Sequence, residues 1–489
     1  MPGANSLARI EINAWALASF ALYYALILAI GVYATRFSST GVNEFFLGGR
    51  KMKRFVVALS AVVSGRSAWL ILGVSGMAYT RGTSAIWAVV GYILVELFLF
   101  LFVAKPLRCY TETMDNITIP NFFESRFRDS SGMLRIVSAI IILVFMIAYV
   151  AAQFNAGGKA FHGSFGMDEN WGILITVAIV FFYTVLGGFK AVSIIDMIQA
   201  ICMILALMIL PIIVIIKTGG MFTMLDTLAL LNPQALDPFA LSVGALIGFL
   251  GIGLGSPGNP HILARYMSID DPRQLRVSAI IGTVWNVAMA WGAIYIGLVG
   301  RTIFQQKTLL PGADTEQLYP YLAQQFVHPI IFGLILASIF AAIMSTADSQ
   351  LLVAASAIAR DIYQKIIRRG REIPQVQLVR LSRLVIFVLV CVALVLAIMA
   401  KQLIFWLVLF AWGGLGASIG PVVILALFWK KTTKWGALAG LITGTVVIIV
   451  WNQTAILKSA MYELVPAFLL SLLMVICVSL VTQPKNARS

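Results

Sequence analysis

An arginine stands in the middle of a long apolar stretch of this sequence. Residues 55–79 are almost entirely apolar, yet Ser64, Gly65, Arg66 and Ser67 follow one another near their centre. A guanidinium stays protonated in proteins, and an unpaired charge deep in an apolar medium costs at least a few kcal/mol. Arg66 therefore needs a counter-charge, and its flat, forked set of donors is also suited to holding a carboxylate.

Two carboxylates are the candidate partners of Arg66. If the apolar stretches are helices that rise 1.5 Å per residue, Arg66 lies roughly 16 Å from the cation-rich end of its helix. Glu96 lies about 14 Å from the matching end of the next helix, while Asp348 and Asp196 lie about 9 Å and 6 Å from theirs. These depths favour Glu96 and Asp348 as the counter-charges.

The composition indicates that these charges are surrounded by a lipid bilayer. Hydrophobic residues make up 60% of the 489 residues and charged residues only 11%, whereas a soluble domain carries about 25% charged residues. The fold class is all-α integral membrane, with about 13 transmembrane helices of the length that crosses a bilayer. We number the predicted helices α1 to α13, at 13–34, 55–79, 84–105, 132–160, 171–188, 192–217, 240–262, 275–302, 325–354, 378–400, 403–428, 434–453 and 461–482.

The net charge of +15 reflects membrane topology. Lysines and arginines are concentrated in alternate connections between the helices, and such connections mark the cytoplasmic side. The pattern predicts a multi-pass protein of the plasma membrane, in a bacterium the inner membrane, with the N-terminus outside and the C-terminus in the cytoplasm. The expected partners are membrane lipid and a small-molecule solute, and not a nucleic acid.

Two of the predicted helices are interrupted. α2 contains SGRSAW, and α7 reads GIGLGSPGNPHILARYM, so glycine and proline should unwind both near the middle of the membrane. Unwound backbone there must line a cavity or be covered by protein. The breaks lie five helices apart in antiparallel helices, which predicts an inverted repeat of α2–α6 and α7–α11, typical of secondary transporters. Two kinked helices in a channel or a membrane enzyme are the alternative.

We expect one transporter domain over 1–489 that functions as a monomer. Its first repeat would cover 55–217 and the inverted second repeat 240–428, with 13–34 and 434–482 peripheral. The three histidines fall at helix ends far apart, and the four cysteines show no metal-site spacing. The sequence therefore indicates neither an enzyme nor a bound cofactor, and no metal beyond a possible sodium ion.

Several motifs resemble one transporter family. The motifs are FFLGGRKM (45–52), PNFFESRFRD (120–129), LGGFKAVSIIDMIQA (186–200), PHILARYM (260–267) and AAIMSTADSQLLVAASAIARDIY (341–363). They are similar to the sodium/solute symporter family, and within it to the sodium/proline symporter branch. This resemblance implies the LeuT-type fold with α2 and α7 broken, alternating access, and sodium-driven import of a small polar solute, an amino acid that is proline-like or more polar.

The resemblance also implies a sodium site between α2 and α9. In the family, backbone carbonyls at the α2 break and hydroxyls on α9 supply the oxygen ligands that hard cations prefer. Without the resemblance, the α9 hydroxyls would be assigned to bonds with their own helix backbone. The matching positions here are Ser67, Ala68, Ala342, Ser345 and Thr346, together with Asp196 on the cytoplasmic side of the ion path.

The sequence departs from the sodium/proline branch at Gly65-Arg66, where those symporters carry Asp-Met. In one reading, Arg66 pairs with Glu96 or Asp348 and leaves the sodium site open. In the other, Arg66 is a built-in cation that replaces sodium, and coupling is lost or transferred to protons. In either case Arg66 could also contact a carboxylate of the solute.

The resemblance further indicates which residues line the solute pocket. Aromatic side chains on α2 and α4 suit a small ring or a cationic amine. α7 lacks aromatic residues that the proline carriers have, and α4 offers two amides, which could face the solute or satisfy neighbouring helices. The predicted solute-binding residues are Trp69, Tyr149, Gln153, Asn155, Ile252 and Ser256.

Overall fold

The computed structural model describes residues 13–38, 41–368, 371, 373–399 and 403–483. These residues form helices and turns, without a β-strand among them. Ten helical stretches in this part of the chain are long and apolar enough to cross a membrane. The predicted all-helical membrane fold is confirmed. The ends of the predicted domain, 1–12 and 484–489, and residue 400 of the predicted α10 lie outside the described residues.

The ten long stretches and two of the shorter apolar helices account for all thirteen predicted helices. The stretch Arg54–Thr113 folds back on itself. Two contacts show this: Arg50, just before the stretch, hydrogen-bonds the Thr111 carbonyl near its end, and Arg66 lies beside Glu96. It therefore contains both α2 and α3. The shorter apolar helices Glu169–Val185 and Val243–Gly258 correspond to α5 and to the first part of α7.

The thirteen helices predicted to cross the membrane have the following bounds in the structure. They are α1 Ala14–Ser38; α2 Arg54–Ala68, Trp69–Val74 and Ser75–Arg81; α3 Ile86–Phe98, Leu99–Val103 and Ala104–Thr113; α4 Met133–Phe165; α5 with α6 Glu169–Lys217; α7 Val243–Leu250, Gly251–Gly258 and Pro260–Ser268; α8 Leu275–Ile303; α9 Pro329–Ser356 continued by Ala357–Ile367; α10 Gln375–Met399; α11 Ile404–Phe428; α12 Lys434–Gln453; and α13 Leu464–Val481. α5 and α6 meet at Gly188, whose φ of 60° requires glycine.

Both predicted helix breaks are present. In α2, Ser67 has a φ of 38° and a ψ of −174°, and the helix resumes as a π-helical turn at Trp69. In α7, the 3-10 segment Gly251–Gly258 is followed by extended Asn259, and α-helix resumes at Pro260. A positive φ at a serine is strained, and such strain is stored where surrounding groups hold the backbone in place.

The broken part of α7 is held against α3 and α11. A Cβ added at Gly91 of α3 would overlap the backbone of Leu250, and one added at Gly253 would overlap the carbonyl of Gly91. Small residues allow this close approach between membrane helices. Trp412 of α11 donates its indole N–H to the Ile252 carbonyl at 2.8 Å, which satisfies one acceptor that the break releases.

Candidate functional site

The α2 break is capped by its own serine and by α4. The Ala68 N–H donates to Oε1 of Gln153 at 3.1 Å, and the Trp69 N–H donates to Oγ of Ser67 at 3.1 Å. The Tyr149 hydroxyl also donates to Oγ of Ser67, at 3.4 Å. These bonds replace the helical partners that the backbone loses at the break.

The two amides of α4 face different neighbours. Gln153 points at the α2 break, on the same face as Tyr149. Asn155 instead donates from Nδ2 to the Ala397 carbonyl of α10 at 3.2 Å. Gln153 thus bonds to the α2 break, whereas Asn155 joins two helices.

Hydroxyls of α9 face backbone oxygens of α2. Oγ of Ser345 lies 3.4 Å from the Val63 carbonyl and 3.3 Å from the Ala342 carbonyl. Oγ1 of Thr346 donates to the Ser64 carbonyl at 3.1 Å. Two hydroxyl–carbonyl pairs on consecutive residues thus join α2 and α9, and the oxygens of this cluster, with the Ala342 carbonyl, are ligands of the kind that a hard cation takes.

The α2 carbonyls in this cluster belong to Val63 and Ser64. The residues predicted for this role from the sequence are Ser67 and Ala68, but the Ser67 hydroxyl and the Ala68 N–H bond to α4 and to the break itself. Side-chain patterns carry no signal for such oxygens, because every residue type has the same backbone carbonyl.

Arg66 points toward α3 and α8. Its Nε donates to Oδ1 of Asn286 at 2.6 Å, its Nη2 lies 3.6 Å from Oε2 of Glu96, and its guanidinium carbon lies 3.5 Å from the centre of the Tyr92 ring. Arg66 and Glu96 are each 1% exposed. Asn286 also donates to Glu96, which joins the three polar side chains into one buried group.

The other proposed partner, Asp348, bonds elsewhere. Its carboxylate accepts from the Tyr183 hydroxyl at 2.8 Å and from Oγ of Ser349 at 2.9 Å. Of the two carboxylates that helical depth favoured, the structure places only Glu96 beside Arg66. Depth along a helix axis leaves open which face of the helix a side chain occupies, and this explains the difference.

A second buried arginine neutralises Asp196. Arg265 of α7 donates from Nε to Ser60 at 3.0 Å, from Nη1 to the His261 carbonyl at 3.1 Å, and from Nη2 to Asp196 at 3.1 Å. It also donates to Ser349 of α9. Arg265 lies in the PHILARYM motif but is not among the residues predicted from the sequence, although a cation next to a helix break is a usable signal.

Aromatic rings are stacked in a row beside the break. Trp69 stacks on Tyr92 with ring centres 6.2 Å apart and on Phe405 at 5.9 Å, and Tyr92 stacks on Trp412 at 5.3 Å. Ser256 of the α7 break is fully buried next to the Tyr92 hydroxyl. The row joins Trp69 of α2 to rings of α3 and α11, which were not among the residues predicted from the sequence.

A cavity of about 510 Å³ reaches the α7 break from one face of the protein. It lies between the second half of α2, the first part of α7, the start of α11 and the segment 458–463, and it ends at Ile252. On the opposite side of the break, the Arg265 cluster fills the space between α2, α6, α7 and α9. Of the predicted solute-binding residues, Ile252 lines this cavity.

A model of the sodium:solute symporter family matches residues 45–444. The chain belongs to this family. It is 38% identical to the osmoregulated proline transporter OpuE of Bacillus subtilis, with 95% of this chain and 94% of the relative covered. It is 40% identical to the high-affinity proline transporter PutP of B. subtilis (93% and 96% covered) and 36% identical to a sodium/proline symporter of Staphylococcus aureus (96% and 93%).

Solved structures of transporters share the fold. A Na⁺-coupled sialic acid symporter in a substrate-bound, outward-open state aligns with a TM-score of 0.83 at 21% identity, over 97% of this chain and 99% of that one. MhsT in complex with L-phenylalanine aligns with a TM-score of 0.56 at 13% identity, over 88% and 98%. The predicted LeuT-type fold is confirmed, and the protein is a multi-pass membrane transporter rather than an enzyme.

Proposed function

We propose that this protein imports a small amino acid together with sodium, by alternating access, with proline as the first solute to test. The proteins of similar sequence named above are proline transporters, and one of them is named as a sodium/proline symporter. A bacterial plasma membrane is the proposed location, and a monomer is the proposed functional unit.

The observation that carries this proposal is the oxygen cluster between α2 and α9. Ser345 and Thr346 face the carbonyls of Val63 and Ser64 at 3.1–3.4 Å, with the Ala342 carbonyl beside them. Oxygens that bind a hard cation at about 2.3–2.6 Å lie roughly 3.3–3.7 Å from their neighbours in an octahedral site, so these separations are close to those that a bound ion requires. The sodium ion would join the two repeats at the point where their relative movement opens and closes the path.

The direction of Arg66 supports sodium coupling over the alternative in which Arg66 replaces the ion. The side chain bonds to Asn286 of α8 and lies beside Glu96 of α3. Among the described residues it has no hydrogen bond to α9. The guanidinium charge is thus balanced by Glu96 of α3, whereas the hydroxyls of the proposed ion site lie on α9.

The alternation of cation-rich connections supports an orientation with the N-terminus outside and the C-terminus inside. In this orientation the 510 Å³ cavity opens to the outside. The repeats 55–217 and 240–428 would move relative to each other, with 13–34 and 434–482 peripheral to them.

Uptake into proteoliposomes tests the proposal. We expect labelled L-proline to accumulate when an inward sodium gradient is imposed and to fail to accumulate with choline in place of sodium. Ser345→Ala/Thr346→Ala should abolish this uptake. The control variant is Ser356→Ala, a serine of α9 that bonds its own helix at Val353. Equal uptake with an imposed proton gradient and no sodium would contradict sodium coupling.

A further inference from the structure

Most donors of the Arg66 guanidinium have no hydrogen-bond partner in the part of the chain that the structure describes. Of its five N–H donors, the one on Nε is bonded to Asn286. Nη1 and Nη2 make no hydrogen bond with the described residues, and the 3.6 Å separation from Glu96 supplies charge balance without a hydrogen bond. Buried polar groups are nearly always bonded in native proteins. The two terminal nitrogens therefore offer an unused donor pair inside the protein.

Further unused donors lie around the same helix break. The indole nitrogen of Trp69 and Nε2 of Gln153 are buried and have no hydrogen-bond partner among the described residues. Both side chains are tied to the break, since Gln153 bonds the Ala68 N–H through its other amide atom and Trp69 follows directly. A set of buried donors without acceptors is complementary to a group that offers only acceptors, such as a carboxylate.

The geometry of the guanidinium makes this match specific. Nη1 and Nη2 form one edge of a planar fork, and a carboxylate can accept from both at once in a bidentate pair. Nε on the other edge is held by Asn286, and the ring of Tyr92 covers one face of the plane. The side chain is thus fixed with its terminal edge available for a ligand.

The charge of the site limits which carboxylates fit. Arg66 and Glu96 form a neutral pair, so the solute that matches both members presents a carboxylate to the arginine and a cationic amine to the glutamate. A zwitterion adds no net charge. Oε1 of Glu96 has no hydrogen-bond partner among the described residues and is available to the amine.

We infer that Arg66 binds the carboxylate of the transported solute, with Glu96 on the side of its amine, and that it thereby restricts transport to zwitterions with a free carboxylate. The inference rests on the proposed function and adds to it the residue that selects the solute. Arg66 then contacts the substrate while the α9 hydroxyls bind the ion, and the two roles are separable by mutation.

The test compares L-proline with L-prolinamide, which lacks the carboxylate, as inhibitors of labelled proline uptake. In the wild type we expect prolinamide to inhibit about 10- to 100-fold more weakly, the range set by a charge-assisted hydrogen-bond pair. Arg66→Met should lower proline affinity by a similar factor and remove the difference between the two compounds. Arg54→Met is the matched control, because it changes an exposed arginine at the start of the same helix.

Folding of the variants is controlled separately. Arg66→Met leaves Glu96 without its counter-charge, so the double variant Arg66→Met/Glu96→Gln, which removes both charges, is measured alongside it. Both should keep the sodium-dependent rise in melting temperature that reports a folded ion site. Wild-type proline uptake in the double variant, or inhibition by prolinamide as strong as by proline, would overturn the inference while leaving the proposed function intact.

If the wild type shows no sodium-driven proline uptake, the proposed solute is wrong and the inference is tested by melting temperature. The probes are the standard amino acids and their carboxamides. We expect at least one acid, and not its amide, to stabilise the wild type and to have no effect on Arg66→Met. The absence of any such pair would overturn the inference.

Discussion

Arg66 and Arg265 are two equally buried arginines with opposite states of bonding. Each is 1% exposed and each lies beside a carboxylate. Every side-chain nitrogen of Arg265 donates to a neighbour, including Asp196 and Ser60. Arg66 has one bond, from Nε to Asn286, and its other nitrogens have none among the described residues.

The difference separates a structural cation from one that is available for binding. Arg265 connects α2, α6, α7 and α9, so its bonds are part of the packing of the folded protein. Among the described residues, the polar atoms of Arg66 contact only α3 and α8. Loss of the saturated arginine should therefore affect folding, whereas loss of the unsaturated one should affect transport.

The largest expected effect is that of Arg265→Met on stability. The substitution leaves the Asp196 carboxylate buried without a counter-charge, and breaking a buried pair in this way costs about 3–5 kcal/mol. We expect a large fall in melting temperature and aggregation on size exclusion. Arg265→Met/Asp196→Asn should recover part of the loss. A variant that melts like the wild type would show that the hydrogen bonds of Arg265 contribute nothing to stability.

The next effect is that of Gly65→Ala. A Cβ at this position would overlap the Tyr92 hydroxyl, and Tyr92 cannot move easily because its ring is stacked between Trp69 and Trp412. Overpacking of this kind costs about 1–3 kcal/mol. Thermal unfolding should show the loss, and Tyr92→Phe, which removes the hydroxyl, should restore stability to Gly65→Ala. Failure of that rescue would place the conflict elsewhere.

A smaller effect is expected for the amides of α4. Gln153→Ala leaves the Ala68 N–H unbonded at the α2 break, which costs about 1–2 kcal/mol and should also weaken solute binding. Asn155→Ala removes the bond to Ala397 on α10 and should leave the apparent affinity for the solute unchanged. Uptake at varied solute concentration separates the two. An equal change in affinity for both variants would contradict the assignment.

The smallest effect is that of Lys53→Met, an exposed cation that serves as a baseline for the buried ones. Lys53 pairs with Asp270 at 2.7 Å and is 78% exposed, so the pair contributes less than about 1 kcal/mol. The hydrogen bond from Lys53 lowers the pKa of Asp270 below its ordinary value. The stabilisation from the Lys53–Asp270 pair is therefore present above about pH 4 and is lost as the pH falls further. The melting temperatures of the wild type and of Lys53→Met should converge at low pH.

Much of the fold was predictable because lipid imposes long apolar helices and because glycine and proline mark the breaks at Ser67 and Asn259. The pairing of Arg66 with Glu96 followed from similar depth in the membrane. Depth could not exclude Asp348, because it carries no information about helix face. Residues that act through a backbone oxygen, such as Val63, could not be found from side-chain type.

The proposed sodium site is tested most directly by thermal unfolding of the purified protein in sodium chloride and in choline chloride at equal ionic strength. An ion that binds only the folded protein raises its melting temperature, whatever the solute. We predict a sodium-specific rise in the wild type that persists in Arg66→Met and disappears in Ser345→Ala/Thr346→Ala. A rise that occurs only in Arg66→Met would contradict this account, since it would mean that the guanidinium occupies the place of the ion.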